Sequence, residues 1–222
     1  MMTNLFSAFD PATTQAVSMN WVSTIMVLLL LPQKYWLMSS RSMCATNKIF
    51  WTLNGELKSL LETKTTEATV MFVALFMFIF SNNVMGLLPY VFTSSSHMAF
   101  TLTLALPLWV SLMIFGWMNH TNKMFAHLIP TGTPAVLMPF MTMIETISNI
   151  MRPGSLAVRL AANMIAGHLL MTLLGNKTPE SGLWAPLLIS AQTALMMFEA
   201  AVSVIQAYVF SVLGSLYYSE IK

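Results

Sequence analysis

The composition and the charge pattern of the sequence predict an all-α integral membrane protein. Of its 222 residues, 56% are hydrophobic and only 8% are Lys, Arg, Asp or Glu. Soluble proteins carry roughly 25% charged residues, so this chain has too few polar side chains to cover a globule in water. Long uncharged runs alternate with short charged segments. Lipid is therefore the expected main solvent, which excludes soluble enzymes.

Charge and cysteine content exclude two further kinds of site. The net charge is +2 and dispersed, so no nucleic-acid partner is expected. A single cysteine, Cys44, cannot form an internal disulfide framework or a Cys-based zinc site. We expect no metal and no cofactor.

Residues 11–36 are predicted to form the first transmembrane helix of a single membrane domain, 1–222. No charge occurs from Pro11 to Gln33, and Lys34, Tyr35 and Trp36 follow as an interfacial anchor. Because no basic residue precedes Lys34, the N-terminus resembles neither a secretory signal nor an import peptide. We therefore expect no post-translational import.

The loop 34–67 holds five of the ten basic residues, so the positive-inside rule predicts that it faces inward. Residues 48–61 within it are predicted to form an amphipathic helix on the inner membrane surface. Its expected apolar face consists of Phe50, Leu53, Leu57, Leu60 and Leu61. A polar loop with some buried side chains is the alternative.

Residues 68–118 are predicted to form a transmembrane hairpin. No Lys, Arg, Asp or Glu occurs from Ala68 to Asn122, and the turn-like segment 88–97 divides this stretch into two spans of about 30 Å. The connecting loop lacks basic residues and is expected outside. Lys123, with His120 and His127 nearby, marks the return to the inner side.

Residues 134–218 are predicted to form a pair of long tilted helices. The apolar stretch 134–175 would be about 63 Å long as one helix, twice a bilayer core. Either Pro153 and Gly154 break it, or it lies strongly tilted. The stretch 184–218 is also too long for a perpendicular span.

Each long helix carries polar residues along one face. On the first, Glu145, Asn149, Arg152, Arg159 and Asn163 fall within about 80° of arc. A charge at the bilayer centre costs from ~3 to above 10 kcal/mol, so this face must contact protein or water. His168 lies about 140° away from Glu145 and must face something else. On the last helix the polar face contains Gln192, Glu199, Ser203, Gln206 and Tyr217.

Several of these residues also have a purely structural interpretation. Arg152 could form an intrahelical pair with Glu145, and Asn149 could be an interhelical hydrogen-bonding residue. His168 could be a hydrogen-bonded core histidine. Arg159 has no acid within four residues, so a carboxylate from another chain is its expected partner.

The segments MIETISNIMRPGSLAVRLAANMIAGHLL (143–170) and FEAAVSVIQAYVFSVLGSLYYS (198–219) resemble subunit a of mitochondrial F-type ATP synthases. The resemblance extends to NLFSAFDP (4–11), NNVMGLLPYVFTSSSH (82–97), FGWMNHT (115–121) and GTPAVLMPFM (132–141), and is strongest to the arthropod form. It is weakest over 41–67.

This resemblance implies a stator against a ring of c subunits, with Arg159 facing the proton-carrying ring carboxylate. It further implies two offset half-channels, with His168 and Glu199 on the intermembrane-space side and Glu145 on the matrix side. Asn163, Ser203 and Gln206 would be polar lining. Bacterial relatives exchange the residue types at positions 168 and 199.

The implied location is the mitochondrial inner membrane, with the N-terminus in the intermembrane space and loop 34–67 in the matrix. Other stator subunits, lipid and protons are the further implied partners. No phosphate-binding GxxxxGK[ST] loop occurs in the chain, so a non-catalytic subunit is expected, with ATP chemistry on other subunits.

Three rival functions fit the sequence less well. A secondary transporter should show an inverted repeat and discontinuous helices, and neither is evident. A haem-carrying subunit needs paired axial histidines, but three of the four histidines fall in or near predicted loops. A purely structural subunit leaves Arg159, Glu199 and His168 unexplained.

Overall fold

The computed structural model describes residues 5–13, 18–29, 32, 36–61, 66–129, 134, 137–179 and 182–221. Over this part of the chain all regular elements are helical, which confirms the predicted all-α class. Four helices are long and apolar enough to cross a membrane, and Met19–Leu29 is a shorter apolar helix. The helices are α1 (Val22–Leu29), α2 (Arg41–Leu60), α3 (Thr66–Gly86), α4 (Met98–Asn119), α5 (Thr121–His127), α6 (Met138–Lys177) and α7 (Ala185–Ile221), with 3₁₀ turns at Leu5–Phe9, Met19–Trp21, Ser94–Ser96 and Gly182–Trp184.

The first predicted span, 11–36, is described only in part. Helix runs from Met19 to Leu29, which is about half the length that a bilayer core requires. The predicted anchor residues Lys34 and Tyr35 lie outside the described residues, as do Glu62 and Lys64 of the predicted inner loop.

Helix α2 is longer than the predicted amphipathic helix 48–61 and begins at Arg41. The reason is an N-cap, since the Ser40 side chain accepts a hydrogen bond from the Met43 backbone N–H at 3.4 Å. Leu57 is only 2% exposed and packs with Phe72 and Val73 of α3. Much of the apolar face of α2 is therefore covered by protein.

Helix α6 runs unbroken for 40 residues, with Pro153 inside it. At 1.5 Å per residue it is about 60 Å long. Proline has no N–H to donate, so Pro153 removes the usual hydrogen bond to the Asn149 carbonyl without ending the helix. Of the two sequence alternatives, the structure has the single long helix.

Close packing of α7 against α3 and α6 forms the core. Ala157 of α6 and Ala207 of α7 are fully buried and share a cluster with Phe76, Ile79 and Phe210. A Cβ atom on Gly214 would lie 2.8 Å from Phe72 Cε1, so only glycine permits this approach of α7 to α3. Small residues at helix crossings in membranes serve this purpose.

We expect Gly214→Ala to destabilise the protein by about 1–3 kcal/mol, because the added methyl group overpacks the contact with Phe72. The loss should appear as a lower thermal denaturation temperature of the membrane-embedded protein. Gly55→Ala in α2 is the matched control, since nothing lies within 4 Å of its Cβ position. Equal denaturation temperatures for the two variants would contradict the proposed packing.

Candidate functional site

The polar face predicted for α7 points into the protein. Glu199 and Ser203 are buried, and Gln192, Gln206 and Tyr217 are half-buried. On α6, Glu145, Asn163 and His168 are half-buried, whereas Arg159 is exposed on this chain. The sequence-predicted site residues therefore lie along and beside the seam between α6 and α7, but at different heights.

The Glu199 carboxyl group packs directly on Gly167. A Cβ atom at position 167 would lie 2.7 Å from Glu199 Cδ and from Oε1, so only glycine leaves room for the carboxyl group. Glu199 is 8% exposed. Gly167 directly precedes His168, so the contact places Glu199 beside the histidine's own turn of α6. His168, which is turned away from Glu145, packs against Phe9 near the start of the chain.

Glu199 and the neighbour of Gly167, His168, each have one polar atom without a hydrogen-bond partner among the described residues. These atoms are Glu199 Oε1 and His168 Nε2, and both are buried. The His168 ring also packs edge-on against Phe9, with centroids 6.2 Å apart. Because unsatisfied buried polar atoms are costly, water is their expected partner. A carboxyl group and an imidazole with water between them can pass protons.

Ser203 links this contact to helix α3. It lies one helical turn after Glu199 and is 1% exposed. Its hydroxyl donates to the Ala200 carbonyl at 2.7 Å, and its own carbonyl accepts a hydrogen bond from Asn83 Nδ2 at 3.5 Å. Asn83 Oδ1 is buried without a partner among the described residues. Polar groups therefore continue from α7 into α3.

A buried group of small polar residues, here called the hydroxyl cluster, adjoins the end of α3. It consists of Asn82, Thr93, Ser94, Ser95 and Ser96. Ser94 Oγ donates to Asn82 Oδ1 at 3.5 Å, while Ser95 Oγ has no partner within the described structure. Sequence reasoning missed Asn83 and this cluster, because two uncharged residues near the end of a predicted span and four more in a predicted turn give no periodic signal. Four consecutive hydroxyl residues after an apolar helix were the available sign.

His97 closes the hydroxyl cluster on the side of the first helix. Its ring lies 5.2 Å from the rings of both Trp21 and Phe92, measured between centroids. Its Nε2 atom is buried and has no partner in the described part of the chain. The hydroxyl cluster is therefore flanked by the aromatic rings of Trp21 and Phe92, which pack on His97.

Arg159 stands apart from the other charged groups. It lines a small pocket with Gln206 and Phe210 of α7. Among the described residues, no carboxylate lies within 4 Å of its guanidinium. Arg159 therefore has no carboxylate partner on its own helix, as the sequence predicts, and none on the other described helices.

Arg152 is paired twice. Its Nη2 lies 3.8 Å from Glu145 Oε1 on the same helix, and its Nη1 donates a hydrogen bond to Glu220 Oε2 on α7. The intrahelical pair with Glu145 was one of the sequence alternatives. Glu220 was not anticipated, because 68 residues separate the partners and no local pattern connects them.

The ionisable groups form two separate clusters. Glu145 and Arg152 lie towards one end of α6, and His168 with Glu199 lies towards the other. His168 lies 23 positions after Glu145, which corresponds to about 35 Å of helix. Arg159 falls between the clusters, about 21 Å from Glu145 and 14 Å from His168 along the axis. Within the described chain, no group of three or more His, Cys, Asp or Glu residues could hold a metal ion.

Comparison with known proteins agrees with this architecture. The family described as "ATP synthase A chain" matches residues 12–219. Proteins named "ATP synthase subunit a" from Drosophila mauritiana and Drosophila simulans are each 58% identical to this chain, and the alignments cover all of both chains. The corresponding protein of Anopheles gambiae is 56% identical over the same full coverage. The resemblance to subunit a in its arthropod form is confirmed, and the chain belongs to the ATP synthase A chain family.

Proposed function

We propose that this chain is the proton-translocating stator subunit in the membrane sector of a mitochondrial F-type ATP synthase. The observation that carries the proposal is the arrangement on α6 and α7. Two clusters of ionisable groups lie near opposite ends of α6, and the cation of Arg159, unpaired among the described residues, lies between them. The relatives named "ATP synthase subunit a" support the assignment.

The outer half-channel comprises Glu199 and His168, with Ser203 as polar lining. The carboxyl and imidazole groups supply exchangeable protons, and their unpartnered buried atoms leave positions for water. Asn83 and the hydroxyl cluster extend the same polar interior towards the α3–α4 turn. Protons from the intermembrane space would enter here.

The inner half-channel comprises Glu145, which opens to the matrix. A cavity of about 270 Å³ adjoins Glu145 and Asn149, which gives water access to the carboxylate. Because Glu145 and His168 are about 35 Å apart along α6, no single proton transfer connects the two half-channels. The proton must travel on another carrier.

A ring of c subunits is that carrier. Arg159 is exposed on this chain and shares its turn of α6 with the exposed Val158. A guanidinium on an apolar surface is costly in lipid, so a carboxylate of a neighbouring subunit is its natural partner. Asn163, one turn further along, and Gln206, across the seam, add polar lining beside it.

The chemistry of arginine suits a gate between the half-channels. Its guanidinium stays protonated, so it attracts an ionised ring carboxylate and favours proton release, yet cannot pass a proton on. Protons are thereby prevented from leaking between the half-channels. The electrical free energy that such a leak would dissipate is about 2.3 kcal/mol per proton for each 100 mV of membrane potential.

The remaining assignments follow from the same role. ATP is made on other subunits, and this chain is non-catalytic. It works with the c-ring, other stator subunits and lipid in the mitochondrial inner membrane as a multi-pass protein. The N-terminus faces the intermembrane space, and loop 34–67 faces the matrix, consistent with its basic residues.

We expect Arg159→Ala to abolish ATP synthesis while passive proton leak through the assembled complex persists or rises. Arg159→Lys should also abolish coupled synthesis, because a desolvated lysine can lose its proton and lacks the forked guanidinium. The measurements are proton flux at a fixed gradient and ATP synthesis in parallel. Arg41→Lys, on the exposed start of α2, is the control. Unchanged flux and synthesis in both Arg159 variants would refute the gate.

A second prediction tests the outer half-channel. Gly167→Ala places a methyl group 2.7 Å from the Glu199 carboxyl group and must displace it. A shift of about 1 Å in a reacting group costs up to roughly 100-fold, so proton flux should fall by one to two orders of magnitude. Gly175→Ala is the matched control on the same helix, since its nearest neighbour is Gln192 Nε2 at 3.9 Å. If both variants conduct equally, Glu199 is not positioned by this contact.

A further inference from the structure

Three side chains converge on the Arg152 guanidinium. Glu220 of α7 accepts a hydrogen bond from Arg152 Nη1, and Glu145 lies 3.8 Å from Nη2. The Tyr217 ring lies beneath the guanidinium, with its centroid 5.0 Å from Arg152 Cζ. Cation–π contacts of this kind fix the plane of a guanidinium.

The two carboxylates are not equivalent partners of Arg152. Glu220 is hydrogen-bonded to it, whereas the Glu145 contact, at 3.8 Å, is longer than a hydrogen bond. The side chains of Glu145 and Glu220 are 33% and 46% exposed on this chain. Arg152 therefore pairs with two carboxylates, and its contact with Glu220 is the closer one.

Glu145 also faces open space. The cavity of about 270 Å³ is bordered by Glu145, Arg152 and Glu220, and has room for several water molecules. Its walls from α4 and α5 include Trp109, Trp117 and Met124, none of which is ionisable. Among the residues that line it, the ionisable groups are Glu145 and Arg152 from α6 and Tyr217 and Glu220 from α7.

We propose that Glu220 is a positioning residue for the inner half of the proton path. By holding Arg152, it keeps Glu145 only loosely paired and open to the cavity. The inference rests on the proposed function of Glu145. It adds roles for Arg152 and Glu220, to which the proposed function assigns none.

The physical reason is competition for one guanidinium. Arginine and carboxylate form a strong, forked, charge-assisted pair when nothing else occupies the donors. If Glu220 loses its charge, Arg152 is released and can close the gap to Glu145. A carboxylate engaged in that way has fewer lone pairs left for water in the cavity, which is the route to the matrix in the proposed function. Proton transfer from the ring to the matrix then slows.

The test is a double-mutant cycle in membranes that carry the assembled complex, with flux normalised to the amount of complex. We expect Glu220→Gln to lower proton flux and ATP synthesis by roughly tenfold, equivalent to about 1.4 kcal/mol. Adding Arg152→Gln should restore flux well above that of Glu220→Gln alone, because the competing cation is gone. Glu56→Gln is the control. Glu56 of α2 also accepts a hydrogen bond from a residue of α7, Tyr208, but at a position away from Arg152.

The outcomes separate this inference from a structural clamp and from the proposed function. If the double variant is no better than Glu220→Gln, or if Glu220→Gln conducts normally, the competition is refuted. Where Glu220→Gln does not assemble, Glu220→Asp takes its place, since its shorter side chain retreats from Arg152, and the same rescue by Arg152→Gln is required. Glu145→Gln tests the underlying role: normal flux in that variant overturns the inner half-channel itself.

Discussion

The close approach of α6 and α7 is the constraint on which the other features depend. Fully buried alanines, Ala157 and Ala207, let the helices meet, and Gly167 admits the Glu199 carboxyl group into the contact. Lipid would not tolerate these carboxyl and imidazole groups, so they must be enclosed between helices. Enclosing them leaves Glu199 Oε1 and His168 Nε2 without a hydrogen-bond partner among the described residues.

Much of the fold could be predicted from the sequence because lipid imposes a simple rule. Runs without charge become helices, and polar residues repeated at helical spacing face inward, as Glu199 and Ser203 do. The same periodicity could not show that α6 stays continuous through Pro153. That outcome depends on packing along the whole helix, where Leu156 and Leu160 are buried just beyond the proline.

The parts of the site that sequence reasoning missed share a physical cause. Asn83 and the hydroxyl cluster are uncharged, and they are distinguished by their burial, which neither a helix end nor a turn-like segment reveals in the sequence. Glu220 meets Arg152 only because the last turn of α7 packs beside α6 at a point 14 residues after the start of α6. Sequence spacing identifies partners within one helix, so it found Glu145 and overlooked the stronger partner across the seam.

The unbroken course of α6 gives the protein stiffness. A force applied at Arg159 would load a helix that extends for about 31 Å towards Met138 and about 27 Å towards Lys177. A continuous helix bends little over such lengths, whereas two short helices joined by a loop would hinge at the point of load. Sideways force is therefore spread along the packed seam and shared by α7 and α3. Such a helix keeps the distance between Glu145 and His168 constant under load.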